Sequence, residues 1–470
     1  MIRPGRILVA HPGFGVLVVA IGTLVVPFDS TVNFAFPYIT RAFGLPIPAI
    51  QWVVIAYTLT YAALMLVFGR VGDILGYRRI FLIGSAWSAI AFLFCAAAPT
   101  YGWLLAARVL QGIGAALVLS CGPALATGLY PEQARARILG VYTMVIGIGG
   151  ALGPPIAGLL VPTWDWPAVF WFRAPFAFAA FCLAWLLPAG TRPATREHFD
   201  AVGGLLLVLA ISAMLLALNQ LQHLGETVLW LALSAIATVL ATWGFIARER
   251  RAPRPIIDLR YFHGVDFSLL NAANIALNLA GFAVLLLVPF YLSRVGALSA
   301  QGIGLLLAAS PAGTAIAAPV AGRLATRMPP RRLALIGAAA MAGGQLLIAT
   351  AGAQLDVLVL AAAMGLQGCG VGLFQVAYFD IVTASIPRAD RGVAGSLAMM
   401  TRTIGTVTGA TVLILAFQTL RTMAAGAGAD EAVAFLNAFA GTFRITAALP
   451  GIVVLVGLLR GWARRPTTDI

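Results

Sequence analysis

The residues best suited to chemistry in this sequence are charged side chains inside long apolar runs. Asp29 lies in one such run and Arg108 in another, with Gln111 one helical turn after Arg108 on the same face. A charge inside a bilayer is costly, and an arginine cannot lose its proton, so each of these side chains needs a partner. Asp29 and Arg108 lie within about one turn of the same expected depth. We therefore expect them to interact, either as a proton-coupling pair or as a static ion pair without a role in transport.

Further charges lie inside apolar runs elsewhere. Asp380 and Arg402 fall on consecutive runs in the second half of the sequence, so we expect them to pair. The pair would serve proton coupling, or would simply hold two helices together. Arg173 and Arg444 lie near the expected outer starts of their helices, and we expect both to reach the membrane interface.

Polar side chains that could line a substrate cavity are spread over several runs. Asn271, Asn274 and Asn278 recur at positions i, i+3 and i+7, so they form one polar stripe on an otherwise apolar helix. We expect this stripe of amides to face a wet cavity. The candidate cavity residues are Tyr57, Gln111, Asn271, Asn274, Asn278 and Gln375.

The composition indicates a polytopic membrane protein. Hydrophobic residues make up 61% of the 470 residues and charged residues only 10%, whereas charged residues make up about 25% of an average soluble domain. No cluster of His, Cys or carboxylates has catalytic or metal-ligand spacing, and no nucleotide-binding loop is present, so we expect neither an enzyme, a metal site, a cofactor nor ATP coupling. Four cysteines fall inside apolar runs, and we expect them to be core residues without disulfides: Cys95, Cys121, Cys182 and Cys369.

Apolar runs of about 20 residues predict fourteen transmembrane helices. Most arginines fall in segments on one side, and the loops on the other side contain only Arg41, Arg294 and Arg421. The positive-inside rule therefore places both termini in the cytoplasm. We expect one sizeable outer loop, at residues 420–440, partly helical or mobile. The predicted helices are 13–38, 50–70, 79–98, 103–130, 138–161, 168–188, 203–221, 227–247, 267–292, 301–325, 332–352, 356–386, 393–419 and 441–462.

A short polar segment joins the second predicted helix to the third. Gly69 and Gly76 allow two helix ends to approach closely and turn, and Arg78 and Arg79 lie where cytoplasmic charge is expected. Asp73 can cap the start of a neighbouring helix or pair with an arginine, so it can hold two helices in one of two arrangements. The alternative is an ordinary loop rich in glycine and arginine.

A second copy of this segment indicates a duplicated chain. Residues 322–332 repeat the glycine, the first arginine and the closing arginine pair at the same spacing, with Thr326 in place of Asp73. Because the copies follow helices 2 and 10, helices 7 and 8 are an inserted pair. The predicted domains are an N-terminal six-helix bundle (1–200), two inserted transmembrane helices (201–250) and a C-terminal six-helix bundle (251–470).

Helix 5 contains a second candidate for a moving part. Gly149 and Gly153 form a small-residue packing face, and Pro154 with its neighbour Pro155 interrupts the backbone hydrogen bonds. Together with Gly158, these residues predict a conformational hinge, and the alternative is plain close packing of helices.

These stretches together resemble the fourteen-helix drug:proton antiporter branch of the major facilitator superfamily, over nearly the whole chain. The segment 69–79 resembles the superfamily signature between helices 2 and 3. The helix-4 pattern R-x-x-Q-G-x-G is matched by Arg108, Gln111, Gly112 and Gly114. The helix-5 antiporter pattern is matched by Gly149, Gly153, Pro154 and Gly158. The helix-1 pattern is matched by Asp29, Thr31, Asn33, Ala35 and Pro37.

The resemblance implies an all-α transporter in which two six-helix bundles rock about a central cavity. It implies export of small hydrophobic or amphipathic compounds in exchange for protons, with the helix-4 arginine, Arg108, associated with proton transfer. We expect a monomer in a bacterial cytoplasmic membrane, with a small-molecule substrate, protons and lipid as its partners and no nucleic acid. The alternatives are an exporter of one endogenous metabolite or antibiotic, an uptake symporter, or a receptor or scaffold that transports nothing.

Overall fold

The computed structural model describes residues 14–45, 47–188, 199–221, 228–295, 298 and 300–462, and this part of the chain is nearly all helical. The prediction of fourteen helices is confirmed. Twelve of them are long and apolar enough to cross a membrane; of the two others, α6 is a shorter apolar helix and α11 has 19 residues. The helices are α1 (Phe14–Phe43), α2 (Gln51–Leu75), α3 (Tyr77–Ala96), α4 (Tyr101–Gly128), α5 (Arg135–Trp164), α6 (Ala168–Ala184), α7 (Ala201–Gln220), α8 (Val228–Glu249), α9 (Val265–Val295), α10 (Ala300–Leu307 and Ala309–Leu324), α11 (Pro330–Ile348), α12 (Val357–Ser385), α13 (Arg391–Gly426) and α14 (Glu431–Leu459).

Two helices of the N-terminal half, α1 and α6, are interrupted close to a proline. In α1 a 3-10 turn, Pro27–Asp29, separates two α-helical segments, since Pro27 lacks an N–H for the hydrogen-bond ladder. In α6 the first segment ends at Trp171 and a second begins at Ala174. Both breaks lie beside the charged residues described below.

The connection between α13 and α14 differs from the sequence prediction. Residues 420–440 are almost entirely helical, because α13 continues to Gly426 and α14 already begins at Glu431. The Asp430 carboxylate accepts a hydrogen bond from the Val433 N–H and caps α14. The predicted outer loop is therefore reduced to a short turn.

The two halves of the chain, α1–α6 and α9–α14, pack on each other along two seams. One seam is formed by α5 and α10, and the other by α2 and α13. On the first seam α5 approaches closely: a β-carbon on Gly140 would lie 2.7 Å from the Ala318 carbonyl oxygen. The inserted helix α7 packs on α8 and also contacts α2 and α13, so it covers the second seam.

Candidate functional site

The break in α1 presents Asp29 to the interior of the N-terminal half. Asp29 ends the 3-10 turn, so its carboxylate projects from the point where the helix is interrupted. The Asp29 side chain is 15% exposed, whereas the guanidinium groups facing it, on Arg108 and Arg173, are fully buried. The carboxylate is thus the accessible member of a buried charge cluster.

Arg108 on α4 binds this carboxylate with two nitrogens. Its Nη1 lies 2.6 Å from Asp29 Oδ1 and its Nη2 lies 2.8 Å from Oδ2. Its Nε donates to the Val53 carbonyl oxygen at 2.7 Å. Parallel two-point pairing of this kind is the strongest form of the arginine–carboxylate interaction. The expected interaction of Asp29 with Arg108 is confirmed, and its role in proton coupling stays a prediction.

Arg173 is a second partner of Asp29, and the prediction that it reaches the membrane interface is wrong. Its side chain is fully buried, and its Nη1 donates to Asp29 Oδ1 at 2.9 Å. The break in α6 turns Arg173 inward, where its guanidinium packs over the rings of Phe92 and Phe170. Its Nε and Nη2 atoms are buried and have no hydrogen-bond partner in the described part of the chain.

Two predicted cavity residues belong to this cluster instead. Gln111 donates from Nε2 to Asp29 Oδ1 at 3.1 Å and accepts from Arg108 Nη1 at 2.8 Å. The Tyr57 ring lies under the Arg108 guanidinium, 4.4 Å from ring centroid to Cζ, and is 4% exposed. Both side chains are buried in this conformation, and their part in a substrate cavity stays a prediction.

The chemistry available to this cluster is the binding and release of a proton by the Asp29 carboxylate. A guanidinium stays protonated in a protein, whereas a carboxylate can bind and release a proton. With Asp29 ionised, one negative and two positive charges leave the cluster at +1. Protonation of Asp29 would remove the negative charge that both arginines share and would weaken their contacts to it.

The glycines of α5 pack against the break in α1. A β-carbon on Gly149 would lie 2.5 Å from Pro27 Cγ, and one on Gly153 would overlap Ser30 Oγ. By contrast, the atom nearest to a β-carbon on Gly158 would be Phe34 Cζ at 3.9 Å. Two of the predicted hinge glycines therefore adjoin the segment that holds Asp29, and α5 runs as one helix through Pro154.

Asp73 caps a helix of the other half of the chain. The Gly392 N–H donates to Asp73 Oδ1 at 2.7 Å and the Val393 N–H donates to Oδ2 at 3.1 Å, both at the start of α13. A carboxylate at a helix N-terminus is stabilised by the partial positive charge there. Gly69 makes this approach possible, since a β-carbon at that position would overlap Ser396 Oγ.

Ion pairs join the two halves at the same end of the molecule. Arg70 lies 2.6 Å from Asp390, and the Asp380 carboxylate lies 2.8 Å from Arg135. We call this set of contacts the latch. Glu132 pairs with Arg135 of its own half and with two arginines of the other half. The latch comprises Arg70, Asp73, Glu132 and Arg135 with Asp380, Arg388, Asp390, Arg391 and the first turn of α13.

The expected pairing of Asp380 with Arg402 is wrong. Asp380 lies near the C-terminal end of α12, at the latch, whereas Arg402 lies about three turns into α13. Asp380 is therefore taken by Arg135. Arg402 is part-exposed, and its guanidinium has no hydrogen bond or ion pair among the described residues.

The other residues of the segment that ends α2 have separate roles. Gly76 ends the helix at a φ of 94°, a conformation that side chains other than glycine rarely adopt. Arg78 donates to the carbonyl oxygens of Ala184 and Trp185, at the end of α6 in its own half. Arg79 is exposed. In the second copy α10 ends at Leu324, ahead of the position that corresponds to Asp73.

The asparagine stripe of α9 packs mainly inside the C-terminal half. Asn271 accepts from the Tyr378 hydroxyl at 2.8 Å, and Asn274 donates to Thr401 Oγ1 at 2.9 Å. Both asparagines are buried, so the prediction that the whole stripe faces a wet cavity is wrong; Asn278 alone is part-exposed. Gln375 is buried, and neither its amide nitrogen nor its oxygen has a partner among the described residues.

Several residues of the site escaped the sequence analysis. Glu132 and Asp390 lie in polar connections, where acidic residues carry no signal of their own. Their local sequence could have indicated them, because each belongs to a 3-10 turn that follows a proline and precedes a helix beginning with arginine. Cys182 also departs from prediction, because it is exposed whereas the prediction made it a core residue.

Fourteen packed helices, a buried charge cluster and a latch between two halves define a multi-pass membrane transport protein. The sequence model of the Major Facilitator Superfamily matches residues 19–410 and again residues 270–469. The chain belongs to the Major Facilitator Superfamily, and it is a transporter of small-molecule substrates.

Named relatives place it in the drug efflux branch. It is 29% identical over 406 residues to the multidrug resistance protein Stp of Mycobacterium tuberculosis (strain CDC 1551 / Oshkosh), which covers 85% of this chain and 74% of that protein. It is 29% identical over 416 residues to the tetracenomycin C resistance and export protein of Streptomyces glaucescens, and the match covers 87% of this chain and 77% of that protein. The human organic anion transporter MFSD10 superposes with a TM-score of 0.64 over 97% of this chain and 100% of that chain, at 15% identity, which shows a common fold.

Proposed function

We propose that this transporter exports small hydrophobic or amphipathic compounds across a bacterial cytoplasmic membrane in exchange for inward-moving protons. The observation that carries the proposal is the Asp29 carboxylate, held between Arg108 and Arg173 inside the span. An ionisable residue at such a depth marks an ion or substrate pathway. The names of relatives, multidrug resistance and antibiotic export, support the direction of transport.

Asp29 carries the proton in this proposal. In the ionised form it holds α4 and α6 to the break in α1 through the two arginines. When Asp29 is protonated, these contacts weaken and the packing around the break changes. A membrane potential supplies about 2.3 kcal/mol per 100 mV for each charge moved, enough to concentrate a substrate roughly fifty-fold per proton.

Alternating access would follow from the latch. In this conformation Asp73 and the ion pairs hold the halves together at one end, so any opening lies towards the other end. Release of the latch would let the halves rock along the α5–α10 and α2–α13 seams. The arginine distribution supports cytoplasmic termini, which puts the latch on the cytoplasmic side. We propose a monomer that acts without a cofactor and catalyses no reaction, driven by the proton gradient.

Proton release from inside-out vesicles tests this function. Vesicles with an acidified interior and a quenched pH dye are given a panel of lipophilic cations, neutral antibiotics and amphipathic acids. We expect at least one compound to dissipate the gradient in vesicles that contain the protein and not in control vesicles. If the protein transports a compound of the panel and the proton gradient is unchanged, the proposed proton coupling is overturned.

A dedicated exporter of a single compound is the second candidate. The relative named for resistance to one antibiotic, tetracenomycin C, favours it. The same panel separates the two candidates, because a dedicated exporter responds to one chemical scaffold and a multidrug exporter responds to several unrelated ones.

A further inference from the structure

Arg402 is a cation without a counter-ion in the middle of the protein. The two carboxylates that the sequence placed inside apolar runs are paired elsewhere, Asp380 with Arg135 and Asp29 with two arginines. No hydrogen bond or ion pair of the Arg402 guanidinium is found in the described ranges, and the side chain is part-exposed. A guanidinium that is shielded from bulk water and has no partner is costly, so this site favours the arrival of an anion.

The surroundings of Arg402 come from both halves of the chain. Tyr61 on α2 and Tyr142 on α5 interact electrostatically with the Arg402 charge. Neither is an acid at neutral pH, and each hydroxyl can donate a hydrogen bond to an anion. The charge cluster around Asp29 also carries a net positive charge when Asp29 is ionised. Both sites therefore carry a positive charge, which favours an anion over a cation at each of them.

An apolar pocket of about 220 Å³ begins one helical turn along α13 from this arginine, at Thr406. Thr406, one turn after Arg402 on the same face of α13, lines the pocket, and so does Tyr61. Its walls come from both halves and from the inserted helix α7, and they include Ile55, Leu215, Phe282 and Val407. The pocket thus offers apolar surface within a turn of an unpartnered cation.

We infer that Arg402 and this pocket bind an amphipathic organic anion, with its apolar body against α2, α7, α9 and α13 and its acidic group on the guanidinium. A carboxylate fits the planar guanidinium with two parallel hydrogen bonds. The inference rests on the proposed function, since it names the substrate class of that transporter. It also gives helix α7 a role, because Leu215 and Asn219 of α7 form part of the pocket wall.

Equilibrium binding to the full chain in lipid nanodiscs tests this inference. The probe is tritiated 1-naphthaleneacetate, with 1-naphthaleneacetamide and 1-naphthylethylammonium as neutral and cationic competitors of similar shape. We expect the acid to bind at least about tenfold more tightly than the amide, the ratio typical of one charge-assisted hydrogen-bonded pair. The amine should bind more weakly than the amide.

Matched variants assign the preference to Arg402. Arg402→Gln should remove the preference for the acid, Arg402→Lys should retain part of it, and the exposed-arginine control Arg444→Gln should leave it unchanged. Leu215→Trp, which fills the pocket, should weaken the acid and the amide together. If Arg402→Lys elutes from size-exclusion chromatography as wild type does and still prefers the acid over the amide, the site is folded in that variant.

Three results would overturn the inference: no binding of the acid to wild type, equal binding of acid and amide, or a preference that survives Arg402→Gln. Because binding at equilibrium needs no gradient, it can succeed where proton-coupled export fails. Failure of the vesicle experiment alone would therefore remove the proposed function and leave the anion site intact.

Discussion

At the scale of single residues, the two arginines that face Asp29 are not equivalent. Arg108 uses its nitrogens on the Asp29 carboxylate, on Gln111 and on the Val53 carbonyl. Arg173 makes one hydrogen bond to Asp29, and two of its nitrogens are buried without a partner among the described residues. Hydrogen bonds to three residues therefore fix the Arg108 guanidinium, whereas Arg173 is held largely by its aromatic neighbours and by the charge of Asp29.

This difference predicts unequal losses of stability. Arg108→Gln leaves the Asp29 carboxylate without its two-point partner and should lower the free energy of unfolding by about 3–5 kcal/mol. Arg173→Gln keeps the Asp29–Arg108 pair and removes two unsatisfied N–H groups, so its loss should be clearly smaller. Thermal unfolding of the purified variants measures both, and equal losses would contradict this account of the cluster.

Single residues also show what the sequence could and could not predict. The contact between Asp29 and Arg108 follows from two charges at matching depth, because each needs a partner in an apolar span. Arg173 was misplaced because its depth depends on a break in α6, which the apolar run does not reveal. The partners of Asn271 and Asn274 depend on side chains of α12 and α13, which periodicity along α9 does not identify.

At the scale of helices, α5 and the break in α1 form one packed unit. We predict that Gly149→Ala lowers the free energy of unfolding by about 1–3 kcal/mol, because a β-carbon there overlaps the Pro27 ring. Gly158→Ala is the control, since its β-carbon would meet only Phe34 at 3.9 Å and alanine favours a helix by about 1 kcal/mol. Thermal unfolding that ranks the control as the less stable variant would refute this packing.

The start of α13 depends on Asp73 of another helix. Asp73→Asn removes the negative charge at the helix N-terminus, worth about 1–2 kcal/mol in a partly buried site. We therefore predict that backbone amides in residues 388–397 exchange hydrogen about fivefold faster or more, measured by mass spectrometry. Arg79→Gln, at an exposed position of the same segment, should leave exchange unchanged. Unaltered exchange in Asp73→Asn would show that the cap does not hold the latch.

Helix ends were harder to predict than helix number. The fourteen apolar runs correspond to fourteen helices, of which twelve are long and apolar enough to span a bilayer. The glycines and acidic residues of 420–440 predict a loop, yet Asp430 serves there as a helix cap. Asp380 was assigned to the wrong partner because the latch brings α12 next to the start of α5, a contact between halves that no local pattern encodes.

At the scale of the whole molecule, the two halves are related in sequence but differ at the latch. Gly69 of α2 meets the start of α13, and Gly322 of α10 meets the start of α5, as a duplicated architecture predicts. Only the first contact has a carboxylate cap, because Thr326 stands where the first copy has Asp73 and is exposed. The carboxylate cap is therefore present at one of the two contacts. The sequence predicts the duplication from the repeated segment, whereas no local pattern predicts the ion pairs between the halves.

Proton coupling through Asp29 is the central claim, and comparison of two transport modes in proteoliposomes tests it most directly. For a compound that responds in the vesicle experiment, uphill transport driven by a pH gradient is measured beside counterflow, which exchanges substrate without net proton movement. Asp29→Asn/Arg173→Gln is the variant of choice, because it removes the carboxylate and restores the charge of the cluster. Asp165→Asn, at an exposed position near the end of α5, is the control.

We predict that the Asp29→Asn/Arg173→Gln variant loses gradient-driven transport at least about tenfold and keeps counterflow, while Asp165→Asn keeps both. Arg173→Gln alone retains the Asp29 carboxylate on Arg108 and should keep a measurable part of the gradient-driven transport. Retained counterflow shows that the variant is folded and still alternates its access. Gradient-driven transport that persists in the absence of the Asp29 carboxylate would contradict the account.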